Sequence, residues 1–233
     1  METFYINGEP ILLEDTIYNN GEEANLYISG NTLVKIFKET RRHNIPKIQQ
    51  DLYAYFMTLD VHKFYLPKNL VYDEAQVFRG YTMDLFPNSE IASHAQRGHV
   101  EQIIAELKAI ETDVKTLSEA GIQINDMKLN HILYCASRNQ LGVIDCGLYQ
   151  RVDNPNLYNQ NRIEMNYYLR QALLWADYEG TKHEMVGCDF PEIYDELDSG
   201  NLWLSDILQE ESQKYKVNTL EELKHCYQKM KFY

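Results

Sequence analysis

Four side chains in this sequence could act on a phosphate group or a metal ion: Asp145, Asp126, Lys128 and Lys35. Asp145 stands in VIDCGLY (143–149), a lone acid closing an apolar run that ends on Cys146-Gly147. An acid there is either a turn residue capping loose backbone N–H groups or a metal ligand. Asp126 and Lys128 share GIQINDMKLNHILY (121–134). An acid and a base this close usually mark a solvated loop, yet Ile122, Ile124, Ile132 and Leu133 would hold this one against a core. Asp145 follows 19 residues after Asp126, beyond a hairpin that would bring the two acids together. Lys35 interrupts the apolar TLVKIFK (32–38), as a solvated edge residue or as an ammonium reaching inward to phosphate oxygens. In YNNGEEANLY (18–27), Asn19, Gly21 and Ala24 are small enough to let backbone N–H groups approach a phosphate, and Asn-Gly is equally an ordinary hairpin turn.

Elements that could position these residues follow from the pattern. Asn7-Gly8 between short apolar runs is a hairpin signal. Residues 24–38 read as two strands joined at Gly30-Asn31, and 69–86 as two strands around a turn at Asp73-Glu74. Residues 46–59 open with Pro46 and space apolar residues at 48, 52, 55, 56 and 59, which predicts a helix. After Pro87, Asn88 and Ser89 the texture changes. Residues 100, 103, 104, 107, 110, 114 and 117 share one face of an amphipathic helix over 99–117. Short strands at 132–134 and 141–144 flank the turn Ser137-Arg138-Asn139. A buried helix is expected over 161–177, and a helix over 218–230 opens with the capping box Thr219/Glu222. The fold class is thus α+β, with a β-rich lobe over residues 1–86 and a mostly helical lobe over residues 87–233 joined by a short hinge, an arrangement whose junction favours ligands.

With 233 residues the chain can bury a sizeable core. A net charge of −13 argues against nonspecific binding to nucleic acid or anionic membrane, though not against a local phosphate site. No basic region leads into an apolar run at Met1, and no stretch is apolar enough to span a membrane. Cys135, Cys146, Cys188 and Cys226 lack CxxC spacing and read as reduced thiols, so a cytosolic setting is expected.

Taken in order, the small-residue turn, the strand lysine, the hinge, the Asp-x-Lys loop, the hairpin and the Asp-x-Gly resemble the protein-kinase-like superfamily over about residues 15–150. The resemblance implies a two-lobed fold with a shortened second lobe and an ATP-dependent phosphotransferase, using Mg2+ or Mn2+. It implies that Asn19, Gly21 and Ala24 stand for the Gly-rich loop and that Lys35 holds phosphates, with Asp51 on the helix as its partner. Met83 would lie behind the adenine, and the backbone of Asp84, Leu85 and Phe86 would meet it. Asp126 would be the base, Lys128 the charge-neutralising lysine and Asp145 the metal ligand. Cys146 replaces the family's Phe, and Ile124-Asn125 its His-Arg. His131 occupies the family's metal-binding Asn position, with Asn130 one residue early, so either could face the metal. The implied acceptor is a protein Ser or Thr, or a small molecule; the alternative is a pseudokinase acting as a binding module. No Ser or Thr lies between Cys146 and Gly180, which implies constitutive activity, or control by a partner rather than by a Ser/Thr phosphorylation switch there.

Overall fold

The computed structural model describes residues 3–11, 13, 16–18, 23–38, 47–86, 90–175 and 202–230. It is a mixed α and β protein in two compact units, Met1–Leu59 with Tyr65–Phe86, and Asp60–Phe64 with Pro87–Tyr233. The expected β-rich lobe, residues 1–86, is therefore interrupted by Asp60–Phe64. The cause is a buried acid: Oδ2 of Asp113 accepts the backbone N–H groups of His62 (2.8 Å), Lys63 (2.5 Å) and Phe64 (3.3 Å). The N–H of Val143 also donates to the carbonyl of Lys63 at 2.7 Å.

The first unit is built on β1 (Phe4–Ile6), β2 (Glu9–Ile11), β3 (Thr16–Tyr18), β4 (Ala24–Ser29), β5 (Thr32–Phe37), β6 (Asn69–Asp73) and β7 (Phe78–Asp84). They form one antiparallel sheet in the order β2-β1-β6-β7-β5-β4-β3. Turn chemistry fixes the hairpins: Asn7 and Gly8 both adopt positive φ (51° and 85°), as a tight β1–β2 turn requires. One sheet face buries Phe4, Val34, Ile36 and Val71. The alternate residues of β5 point the other way. There Phe37 and Tyr81 meet Tyr53 of α1 (Lys47–Phe56), with ring centroids 6.2 Å and 4.9 Å from Tyr53. One stacked and one tilted aromatic pair help hold the helix to the sheet.

The second unit centres on α2 (Val100–Glu119), whose buried face is Val100, Ile103, Ile104, Leu107, Ile110, Val114 and Leu117, together with Asp113. Against it pack α3 (Leu157–Arg170) and α4 (Leu204–Tyr215), and a π-helical turn (Gln171–Trp175) and α5 (Leu220–Met230) belong to the same unit. The expected helix over 161–177 begins earlier, at Leu157, because Asn161 is buried through hydrogen bonds rather than by apolar packing. Its residues 176–177 lie outside the described residues. The capping box of α5 is formed: the N–H of Glu222 donates to Oγ1 of Thr219 (3.1 Å), and the N–H of Thr219 to Oε2 of Glu222 (3.3 Å). Two small antiparallel sheets complete the unit: β8 (Glu90–Ile91), β10 (Ile132–Cys135) and β11 (Gln140–Val143) in one, β9 (Ile122–Gln123) and β12 (Gln150–Arg151) in the other. No described helix is long and apolar enough to cross a membrane.

Candidate active site

Two loops of the second unit carry the acids, and both ends of the loop pair are tied. At one end β9 pairs with β12, Gln123 opposite Gln150. At the other, β10 pairs with β11, Ile132 opposite Val143. Residues 124–131 and 144–149 run between these ladders and are cross-linked along their length. Nδ2 of Asn125 donates to the carbonyl of Leu148 (3.3 Å) and the N–H of Ile144 to the carbonyl of His131 (2.9 Å). The hydroxyl of Tyr149, fully buried, reaches Sδ of Met127 at 3.6 Å. Burial, then Cys146 and Asp145, raise the Tyr149 hydroxyl well above its ordinary pKa, so it remains a neutral donor.

Asn161 of α3 anchors the approach to the first loop. Its Oδ1 accepts the N–H of Ile124 (2.9 Å), while its Nδ2 donates to the carbonyl of Ile122 (2.8 Å) and to Oγ of Ser118 (2.9 Å). Ile124 and Met127 are buried at 3% and 2% exposure, and Asp126 between them protrudes with its side chain 41% exposed. Asp126 sits at φ 55° and Asp145 at φ 66°. Left-handed backbone costs a non-glycine residue about 1 kcal/mol or more and persists only where the surroundings impose it. Asn7, Gln76, Asn139 and Lys216, which share this conformation, occupy hairpin turns and a helix C-cap. The two acids instead carry it in loops held from both ends.

Each carboxylate has a cationic or ionisable neighbour. Nζ of Lys128 is 2.9 Å from Oδ2 of Asp126. Oδ1 of Asp145 accepts the N–H of Gly147 at 3.3 Å, closing the turn, while Oδ2 lies 3.8 Å from Nε2 of His131. Asp145 is thus a turn acid through one oxygen and presents the other to an imidazole. His131 is buried at 6% exposure, whereas Asn130 is exposed. Tyr168 of α3 lies within electrostatic reach of both Asp126 and Lys128. Burial raises its hydroxyl pKa first, with Glu164, Tyr167 and Asp126 adding and Lys128 opposing. Tyr168, Tyr149 and Asn161 carry no motif that a sequence reading could have found. Among the described residues, no three His, Cys, Asp or Glu side chains gather as a metal cage.

The expected nucleotide residues belong to the first unit. Lys35 lies on β5, which is interior between β7 and β4, so it is not an edge residue. It faces Leu26 and Tyr81 in register, with its ammonium 5.8 Å from the centroid of the Tyr81 ring. Asp51, the expected partner, is exposed. The reason is rotation: α1 buries Tyr53 and Phe56, which turns 51 and 54 to solvent, while Gln50 reaches the hydroxyl of Tyr72 at 3.2 Å. Ala24 and Met83 are each buried at 5% exposure. Asp84 is exposed and pairs with Lys68 at 2.6 Å. The N–H of Leu85 donates to the carbonyl of Asn31 (2.9 Å), and Asp84 pairs with Thr32 in the β5–β7 ladder. Asn19 and Gly21 lie outside the described residues. No family model matches the chain, and no curated protein sequence matches it.

Proposed function

We propose that this chain has a two-lobed, protein-kinase-like fold and is an ATP-dependent phosphotransferase with Asp126 as base and Asp145 as the cation-binding acid. The observation that carries this reading is the pair of half-exposed acids, Asp126 and Asp145, both held at positive φ on two loops tied at both ends. Strained, over-determined polar residues cluster at functional sites. The donor chemistry also fits: magnesium-type ions are commonly held by one or two carboxylates plus substrate phosphates rather than by a full protein cage.

On this reading the hydroxyl oxygen of the acceptor forms a bond to the γ-phosphorus as the bond from that phosphorus to the bridging oxygen breaks. ADP leaves, and the hydroxyl proton passes to the carboxylate of Asp126. Lys128, 2.9 Å from that carboxylate, stabilises charge on the transferred group. Lys35 holds phosphate oxygens of the nucleotide. A divalent cation at Asp145 would neutralise further phosphate charge. Positioning and electrostatics are most of what phosphoryl transfer asks of a protein. A Ser or Thr of a protein is the first acceptor class. A compact small molecule is the second, favoured by the 11 residues, 146–156, between Asp145 and α3.

A second reading, nucleotide binding without transfer, draws on Lys128 and His131 standing against the two carboxylates. Equilibrium ATP binding and phosphate transfer to acceptors in a lysate separate the two. Asp126→Asn and Asp145→Asn should each lower transfer by about a hundredfold or more while melting within a few degrees of the wild type. Lys35→Ala should weaken ATP binding. Undiminished transfer in Asp145→Asn would overturn the assignment; ATP binding without transfer in the wild type would establish the second reading.

A further inference from the structure

We propose that His131 is a nitrogen ligand and makes this site select manganese over magnesium. The proposal rests on the reading that Asp145 holds a nucleotide-linked cation.

The backbone decides which of the two neighbouring candidates approaches the carboxylate. Leu129–His131 form a single 3-10 turn that leads directly into β10. Asn130 on that turn is exposed, whereas His131 is buried at 6% exposure. The pairing of Ile132 with Val143, and the 2.9 Å hydrogen bond from the N–H of Ile144 to the carbonyl of His131, set residue 131 beside the start of the second loop. A slip of one residue would reverse the faces of β10 and expose Ile132, which is completely buried. The strand register therefore presents the imidazole, rather than the Asn130 amide, to Asp145.

The spacing suits a shared ion. Nε2 of His131 and Oδ2 of Asp145 are 3.8 Å apart. Two ligands about 2.1 Å from one cation, at octahedral or tetrahedral angles, are about 3.0–3.4 Å from each other. Closing the difference needs about 0.4–0.8 Å, within reach of a carboxylate that is 41% exposed. Its other oxygen already accepts the Gly147 N–H, so its orientation is constrained. An imidazole nitrogen beside one carboxylate is a poor match for magnesium, which demands oxygen ligands in a near-ideal octahedron. Imidazole suits transition metals better than magnesium, and manganese is the transition ion that also favours the carboxylate and water oxygens the rest of the shell needs. Because no third His, Cys, Asp or Glu joins the pair among the described residues, phosphate oxygens and water must complete the shell. Selectivity should accordingly appear only with nucleotide present.

The test is direct binding on the full chain. Calorimetry with adenylyl imidodiphosphate in Mn2+ or Mg2+ gives the preference, and spin-echo spectroscopy of the bound Mn2+ reports directly bonded nitrogen. The wild type should prefer Mn2+ by about tenfold beyond the preference of His131→Asn. It should also show a nitrogen coupling that isotopic labelling of histidine shifts and His131→Asn removes. Asn130→Ala should change neither, and Asp145→Asn should weaken binding in both ions. The labelled wild type answers the question even if His131→Asn fails to fold. An all-oxygen shell with nucleotide bound would overturn the proposal while leaving the phosphotransferase reading intact. So would an equal Mn2+ preference in wild type and His131→Asn. No binding of the analogue in either ion, by folded protein, would overturn both.

Discussion

Asp113 shows how a single residue can shape a boundary. It lies on the apolar face of α2 at 2% exposure, and one of its oxygens accepts three successive backbone N–H groups, from His62 to Phe64. Glu106, two turns earlier, ties down neighbouring chain in the same way, with its Oε2 2.5 Å from Nζ of Lys63 and 2.9 Å from the N–H of Leu141. Removing the Asp113 carboxylate leaves one buried and two partly buried donors without their acceptor, which costs more than an ordinary hydrogen bond contributes. Asp113→Ala should destabilise the second unit by about 3 kcal/mol, and Asp113→Asn, which keeps one oxygen, by roughly half as much. Urea unfolding followed by tryptophan emission, to which the buried Trp203 contributes, measures both; equal costs for Ala and Asn would refute the acceptor role. None of this was legible in the sequence, because a polar residue on an amphipathic face adds nothing to the period that reveals the helix. Asp126 and Asp145 were legible as acids set among apolar residues. Their positive φ values were not, since neighbouring chain segments impose them.

At the scale of elements, legibility followed locality. The hairpins at Asn7-Gly8, Gly30-Asn31 and Asp73-Glu74 carry their turn signals within two residues, and all three form. The face of α2 was readable because seven apolar residues repeat on one stripe. By contrast β9 and β12 are two residues each and join positions 122–123 to 150–151, so no local pattern marks them. α4 went unread because Ser205 and Ser212 share its buried face with Leu204, Ile207 and Leu208, which blurs the periodicity. α4 also faces an acid on α2. The Glu111 carboxyl is raised above its ordinary value of 4.5, first by burial and then by Asp206, with Lys108 and Arg162 opposing. A raised carboxyl pKa means that folding favours the protonated form. The penalty is absent below the ordinary glutamate range and grows as pH rises through it. Glu111→Gln should therefore raise the melting temperature near neutral pH and leave it unchanged at about pH 3. A stabilisation that persists in acid would count against this origin.

At the scale of the molecule, two compact units with separate cores predict unfolding that different probes see differently. Both tryptophans, Trp175 and Trp203, belong to the second unit, so tryptophan emission is blind to the first. Far-ultraviolet circular dichroism sees both. A perturbation confined to the first unit is available at Gly80 in β7. A Cβ added there would stand 1.9 Å from the backbone oxygen of Lys35, a contact that no side-chain rotation relieves. Ala normally costs little or nothing in place of a strand glycine, so a large loss at this position would come from that backbone collision alone. Gly80→Ala should destabilise the first unit by about 2–4 kcal/mol. The early phase of the dichroism transition should move to lower denaturant while the midpoint of tryptophan emission stays in place. If the proposed phosphotransferase reading holds, ATP binding should weaken in parallel, because the displaced backbone carries Lys35. Were both probes to shift by the same amount, the two units would be unfolding as one cooperative body, and stability measured in either would report on both.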